Sequence, residues 1–251
     1  MFSKPSHFAR TALAVAVSGL FAAPAFAASG FAAFAGANLT LVDIQSADSL
    51  DGLVFTLTDD TLFDSSTSGA ASSASDAFVG QFNDPLGLGV GFDLTVEATA
   101  DGAAGDDTLP AGGSADAESL ATAFLNVQNG STGSVTLLFD VSWTVSSEAF
   151  SSGFGGDDAF GQATLDLTAD DGLNQTTLLF AALADLLNGP LDDFANGTER
   201  FSFTLAPGAT LSLDLLANST GFASAVPVPA ALPLFGSALL GLWGARRRQR
   251  G

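Results

Sequence analysis

The sequence predicts an all-β protein: an antiparallel two-sheet sandwich, jelly-roll-like, with an N-terminal signal peptide and one C-terminal transmembrane helix. Three observations predict it. Apolar residues recur at every second position in several runs, the period of a strand with one buried face. Small polar segments rich in Gly, Asp and Ser separate those runs, which is the punctuation of an all-β domain. The two ends hold six of the seven Lys and Arg, while all 27 acids lie between them.

The chain opens with a leader. Lys4 and Arg10 form a positive segment, residues 11–21 are apolar, Pro24 interrupts, and Ala25-Phe26-Ala27 is a small-residue cleavage signal. Residues 1–27 therefore read as a signal peptide, with Ala25 and Ala27 marking the cut and signal peptidase as the enzyme that makes it. The mature chain begins near Ala28.

Residues 28–225 read as one acidic ectodomain. Leu88, Val90, Phe92, Leu94 and Val96 alternate, as do Val135, Leu137, Phe139, Val141, Trp143 and Val145. Between the latter lie Thr136, Leu138, Asp140, Ser142 and Thr144, so one face is dry and the other mainly wet. Further strands are expected at 38–44, 53–58, 121–128, 160–168, 200–205 and 210–217. The last two flank Ala206-Pro207-Gly208-Ala209, which reads as a hairpin turn. Residues 175–187 fit either a short helix ending near Gly189-Pro190 or a strand over 176–180. The Ser, Ala and Gly stretch at 64–76 reads as a mobile loop, and 101–116 and 151–158 as similar connections.

The charge excludes several functions. The formal net charge is −20, with Arg200 the lone cation of the middle. No basic groove for nucleic acid is available. The chain has no Cys, and its middle has no Lys or His. That removes cysteine nucleophiles, histidine bases, Schiff-base lysines and His/Cys zinc sites there.

Paired aspartates are the conspicuous remainder: Asp59-Asp60, Asp106-Asp107, Asp157-Asp158, Asp170-Asp171 and Asp192-Asp193. Flexible Gly/Asp loops can supply the six to eight oxygens that Ca²⁺ takes. Asp157, Asp158, Asp170 and Asp171, flanking one expected strand, are the candidate calcium ligands. The other reading is a solvated acidic surface. Two carboxylates also suffice for glycoside hydrolysis, but among 27 acids some suitably spaced pair is expected by chance. Trp143 falls in phase with an apolar face and reads as core. Arg200 reads as a partner for Glu199 or Asp214. Asn-x-Ser/Thr sequences at Asn38, Asn129, Asn174, Asn196 and Asn218 read as chance in so Asn-, Ser- and Thr-rich a chain.

Residues 226–251 end the chain with Val226-Pro227-Val228-Pro229-Ala230, an apolar stretch to Ala245, and Arg246, Arg247, Arg248 and Arg250. A helix over 230–245 would run roughly 24 Å at 1.5 Å per residue, slightly short of a hydrocarbon core, and arginine stems can snorkel to the far interface. The positive-inside rule keeps the Arg cluster cytoplasmic and puts the acidic bulk outside.

This order of motif, span and basic cluster resembles the PEP-CTERM class of bacterial sorting signals, most closely its VPxPA variant. Val228 stands where leucine is common in that variant. The resemblance covers only the last 26 residues. It implies processing by an exosortase, a membrane transpeptidase-like protease, after transient anchoring in the inner membrane. It further implies release to the cell surface or extracellular matrix, in a bacterium making exopolysaccharide, which becomes a possible partner. SVTLLFDVSWTV, AFGQATLDL and FSFTLAPGATLSLDLLANSTGFA are similar to ectodomains that accompany such signals and imply a β-sandwich without a defined activity. Three functions follow as expectations: a non-enzymatic surface or matrix protein, a Ca²⁺-dependent carbohydrate-binding or adhesive module, and a carboxylate-pair hydrolase.

Overall fold

The computed structural model describes residues 28–46, 50–82, 92–105, 112–151 and 157–226. The signal peptide, the sorting motif beyond Val226, the 230–245 helix, the Arg cluster, Leu88, Val90 and the Asp106-Asp107 pair lie outside the described residues.

Among the described residues ten strands form two five-stranded sheets, and every pairing is antiparallel. They are β1 (Ser29–Ser46), β2 (Leu53–Gly69), β3 (Ala71–Phe82), β4 (Phe92–Ala104), β5 (Gly113–Asn129), β6 (Val135–Ser151), β7 (Asp158–Asp170), β8 (Gln175–Asp185), β9 (Asp192–Leu205) and β10 (Thr210–Ala225). The first sheet runs β3-β4-β1-β6-β9 and the second β2-β5-β10-β7-β8. Only β3–β4 and β7–β8 are consecutive strands paired in one sheet; every other consecutive pair changes sheet. The all-β, two-sheet antiparallel sandwich holds.

The first and last strands, β1 and β10, are the central strands of opposite sheets. Their alternation sets the core. β10 points Leu211, Leu213, Leu215, Ala217, Ser219, Gly221, Ala223 and Ala225 inward, all buried, while the alternate residues keep part of their surface exposed. β1 kinks between Leu41 and Asp43, where its register against β6 slips.

Several sequence expectations change. Residues 101–104 finish β4 and 113–116 start β5, so 101–116 is not one connection. The residues at 64–76 are not a loop: they finish β2 and start β3, with a corner at Gly69 (φ +68°). Only Gly adopts that left-handed backbone cheaply. Of the two readings of 175–187 the strand holds, and it runs from Gln175 to Asp185, because neighbouring β7 supplies a full ladder from Asp170 to Phe160. The segment around Pro207-Gly208 is a turn, but it joins β9 of one sheet to β10 of the other and so makes an arch rather than a hairpin. Asn129 locks this arch. Its buried side chain donates to the carbonyl oxygens of Leu205 (2.9 Å), Ala206 (3.2 Å) and Gly133 (2.9 Å), and accepts from Ser131 Oγ (2.6 Å). The sequon at Asn129 is thus spent on the fold.

The core changes character along the strands. Towards one end it holds Leu39, Leu94, Leu125, Leu137, Phe139, Leu205, Leu211 and Leu213. Towards the other it consists of nine buried alanines and Phe31. Small side chains let the sheets approach. Ser219 Oγ of β10 donates to the carbonyl of Ala98 in the facing sheet (2.8 Å), and Ser119 Oγ of β5 donates to that of Asp76 in β3. A β-carbon at Gly161 would lie 3.2 Å from the carbonyl oxygens of Ala32 and of Glu148 opposite. The Phe31 ring fills the space that Gly102 and Gly221 leave open. Both chain termini of the sandwich, the start of β1 and the end of β10, meet at this alanine-rich end.

Candidate functional site

The candidate calcium ligands fall apart into two pairs. Asp157 and Asp158 stand at the start of β7, and Asp170 and Asp171 at its end. Thirteen residues separate the strand ends, about 40 Å at the usual rise, so the four cannot share one ion. Each pair has a local duty instead. Asp170 Oδ1 accepts from the Gly172 N–H (2.7 Å), and Asp171 Oδ1 from those of Asn174 (2.7 Å) and Leu173 (2.9 Å). These are side-chain turns that close the β7–β8 connection. The Asn174 N–H, then that of Leu173, hold the Asp171 carboxyl below its usual range. Asp185 repeats the device after β8, lowered by the N–H groups of Leu187 and Asn188. Asp193 Oδ2 accepts from the Leu183 N–H of edge strand β8 (3.1 Å).

Asp157 is buried and accepts from Ser151 Oγ (2.9 Å) and from the Val226 N–H (3.3 Å). It fastens the chain where β10 ends. Among the described residues no three His, Cys, Asp or Glu side chains are grouped so as to hold a metal.

Arg200 pairs with neither Glu199 nor Asp214. It forms a two-pronged bridge to Asp140, its directly opposed residue on β6, through Nε–Oδ1 (2.5 Å) and Nη2–Oδ2 (2.6 Å). That bond lowers the Asp140 carboxyl and raises the guanidinium. Asp214 lies in the other sheet, where burial first, and then the charge of Asp166, push its carboxyl up. This acid pair sits on the outer face of the second sheet, one diagonal step apart in the ladder. Trp143 packs as expected of a core residue: its ring stacks on Phe180 at 3.7 Å between centroids and bridges the two sheets.

The outer face of the first sheet shows a feature that the sequence reading missed. Residues Gly30, Ala32, Phe34 and Gly36 are successive outward positions of central strand β1. The Phe34 ring leans over Gly36, where a β-carbon would meet Cζ at 2.7 Å. Phe150, opposite Gly30 on β6, leans over Gly30. Both rings thus tilt away from Ala32, which is left bare between them. The result is a trough of about 390 Å³ over Ala32, within the size range of small-ligand sites. Phe34 and Phe194, in line across the sheet, form one wall. Asp101, Glu148 and Asp192, in line with Ala32, bring carboxylates to the floor. Phe194 is 62% exposed and Phe150 45%. Four strands at about 4.8 Å spacing make the trough about 14 Å long. The available signal was the phase of Phe34, Phe150 and Phe194: each stands out of step with the buried residues of its strand.

No family model matches the chain, and no curated protein matches it. Among solved structures, the crystal structure of the lysenin pore aligns at 7% identity over 68% of this chain and 49% of that chain, with a TM-score of 0.10. The aligned part spans about half of that chain, and a likeness at this level carries no argument.

Proposed function

We propose that the protein is an exported, non-enzymatic surface or extracellular-matrix protein, sent out by its signal peptide, held briefly by the 230–245 helix, and processed by an exosortase-like protease at Val226-Pro227-Val228-Pro229-Ala230. The single observation that supports this reading most is where the sandwich ends. β1 starts at Ser29 and β10 stops at Ala225, so the described strands use only residues that lie between the two addresses. Both central strands leave at the same alanine-rich end. The surplus of acids keeps copies apart at low salt, and counterions moderate that repulsion.

The test is to express the tagged full chain in an exosortase-bearing host and determine both termini by mass spectrometry, with cell fractionation. The expected result is a mature chain starting at Ala28, outside the cytoplasm, and shortened within or after 226–230. An intact chain in the cytoplasm would overturn the proposal. The trough on the first sheet favours a second reading, a carbohydrate-binding module, without calcium as its bridge.

A further inference from the structure

Resting on that second reading, we propose that the trough over Ala32 binds a glycan bearing protonated amino groups, a glucosamine-type polymer. Pyranose rings present an apolar C–H face and a rim of polar substituents. A trough suited to them needs flat apolar walls and a few fixed acceptors. Phe34 and Phe194 supply one apolar wall, and Phe150 stands in the outward row on the other side of Ala32. The floor stays open because Gly30, Ala32 and Gly36 are small, and a β-carbon at Gly30 or Gly36 would collide with the rings laid over them.

Charge selects among glycans. Asp101, Glu148 and Asp192 face the trough, and no cationic side chain lines it. Arg200, the one cation of the ectodomain, is already committed to Asp140. An anionic polymer would meet uncompensated carboxylates there, and a neutral one would leave their charge unanswered. A protonated amine on the sugar pairs with them directly. Binding should weaken as salt rises and as pH rises through the amine pKa.

The test must separate the trough from the general pull of an acidic protein on a polycation. Binding of the purified full chain in detergent is measured by calorimetry with oligomers of glucosamine, N-acetylglucosamine, glucose and galacturonate. The expected order puts the glucosamine oligomer first and galacturonate last. Phe34→Ala with Phe194→Ala, which leaves the charge untouched, should cost at least about tenfold in affinity. Asp101→Asn with Glu148→Gln should cost as much, while Asp166→Asn with Asp214→Asn, the same charge change on the other sheet, should cost less than about twofold. Equal losses from the two charge pairs would mean a diffuse field and overturn the proposal. Equal binding of neutral and amino oligomers, lost in the Phe variant, would overturn the amine requirement and leave the carbohydrate reading standing. No binding by any oligomer would overturn both, as would a Phe variant that only dissolves a dimer seen by light scattering. Thermal unfolding of each variant shows that it folds. Export is read separately by fractionation, so failure there is distinguishable from failure here.

Discussion

The two ends of the sandwich are built from different side chains. One end mixes leucine, valine and Phe139 with ten alanines; the other holds nine alanines, with Phe31 as the one large buried residue of its cluster. At the first end side chains interdigitate and neighbours can shift into a gap. At the second the sheets approach until hydroxyls of one reach carbonyls of the other. Thin packing concentrates dependence on a few groups. On the outer face of β1 the residues Gly30, Ala32 and Gly36 are small as well, and there the trough forms. The trough and both exits of the chain share the alanine-rich end.

This comparison can be broken at several points. The largest effect is expected from Phe31→Ala, which empties the space bounded by Gly102 and Gly221. It should cost about 3–5 kcal/mol, at the upper end because alanines cannot close the gap. Leu215→Ala, in the leucine-rich cluster, should cost less, about 2–3 kcal/mol, because bulky neighbours relax. If chemical denaturation gives the reverse order, the thin end is not the brittle one. Asn129→Ala removes the group that ties the β9–β10 arch and should cost about 2–3 kcal/mol, with loss of the carbonyl partners at Leu205 and Ala206.

Ser219→Ala breaks one of the two hydroxyl-to-carbonyl ties between the sheets and leaves the Ala98 carbonyl without that donor. About 1–2 kcal/mol is expected by denaturant titration, against near zero for Thr136→Ala, whose hydroxyl bond to Thr204 is exposed.

The smallest effects are electrostatic and differ in sign. Asp140, Asp171 and Asp185 have lowered carboxyls, so their contribution is complete above the ordinary value of about 3.9 and is lost as pH falls through the lowered ones. Asp214 is raised; its contribution is complete below about 3.9 and lost as pH rises through the raised value. Asp214→Asn should therefore raise Tm at pH 7 and leave it unchanged at pH 3, whereas Asp171→Asn should lower Tm at pH 7. Ca²⁺ and Mg²⁺ at equal ionic strength should shift Tm alike, through screening of the acidic surface. A saturable response to Ca²⁺ alone would restore a specific site.

The same contrast decides what the sequence could reveal. Alternation of large apolar and polar residues marked β6 and the first half of β10 plainly. The far halves of β1, β2, β5 and β9 were shortened or lost in the reading, because Ala, Gly and Ser offer no contrast between a buried and a wet position. Residues 64–76 looked like a loop for that reason, although Ser73 and Ser75 donate to carbonyls of neighbouring β2. The arch at Pro207-Gly208 looked like a hairpin because turn residues do not say which sheet the next strand joins. Asp157 to Asp171 looked like one site because sequence proximity hides the length of an extended strand. The trough was half legible: its phenylalanines stood out of phase, but only the cross-strand register aligns Phe34 with Phe194 and Ala32 with Glu148.

Hydrogen exchange of the full chain, followed by mass spectrometry with and without the glucosamine oligomer, tests the central claim most directly. The segments that line and flank the trough, 30–36, 97–103, 144–150 and 192–197, should be protected without ligand and slow further when it is added, while 39–45 and 210–216 stay unchanged. Free exchange in those segments, or no response confined to them, would contradict the claim that the thin end is both formed and functional.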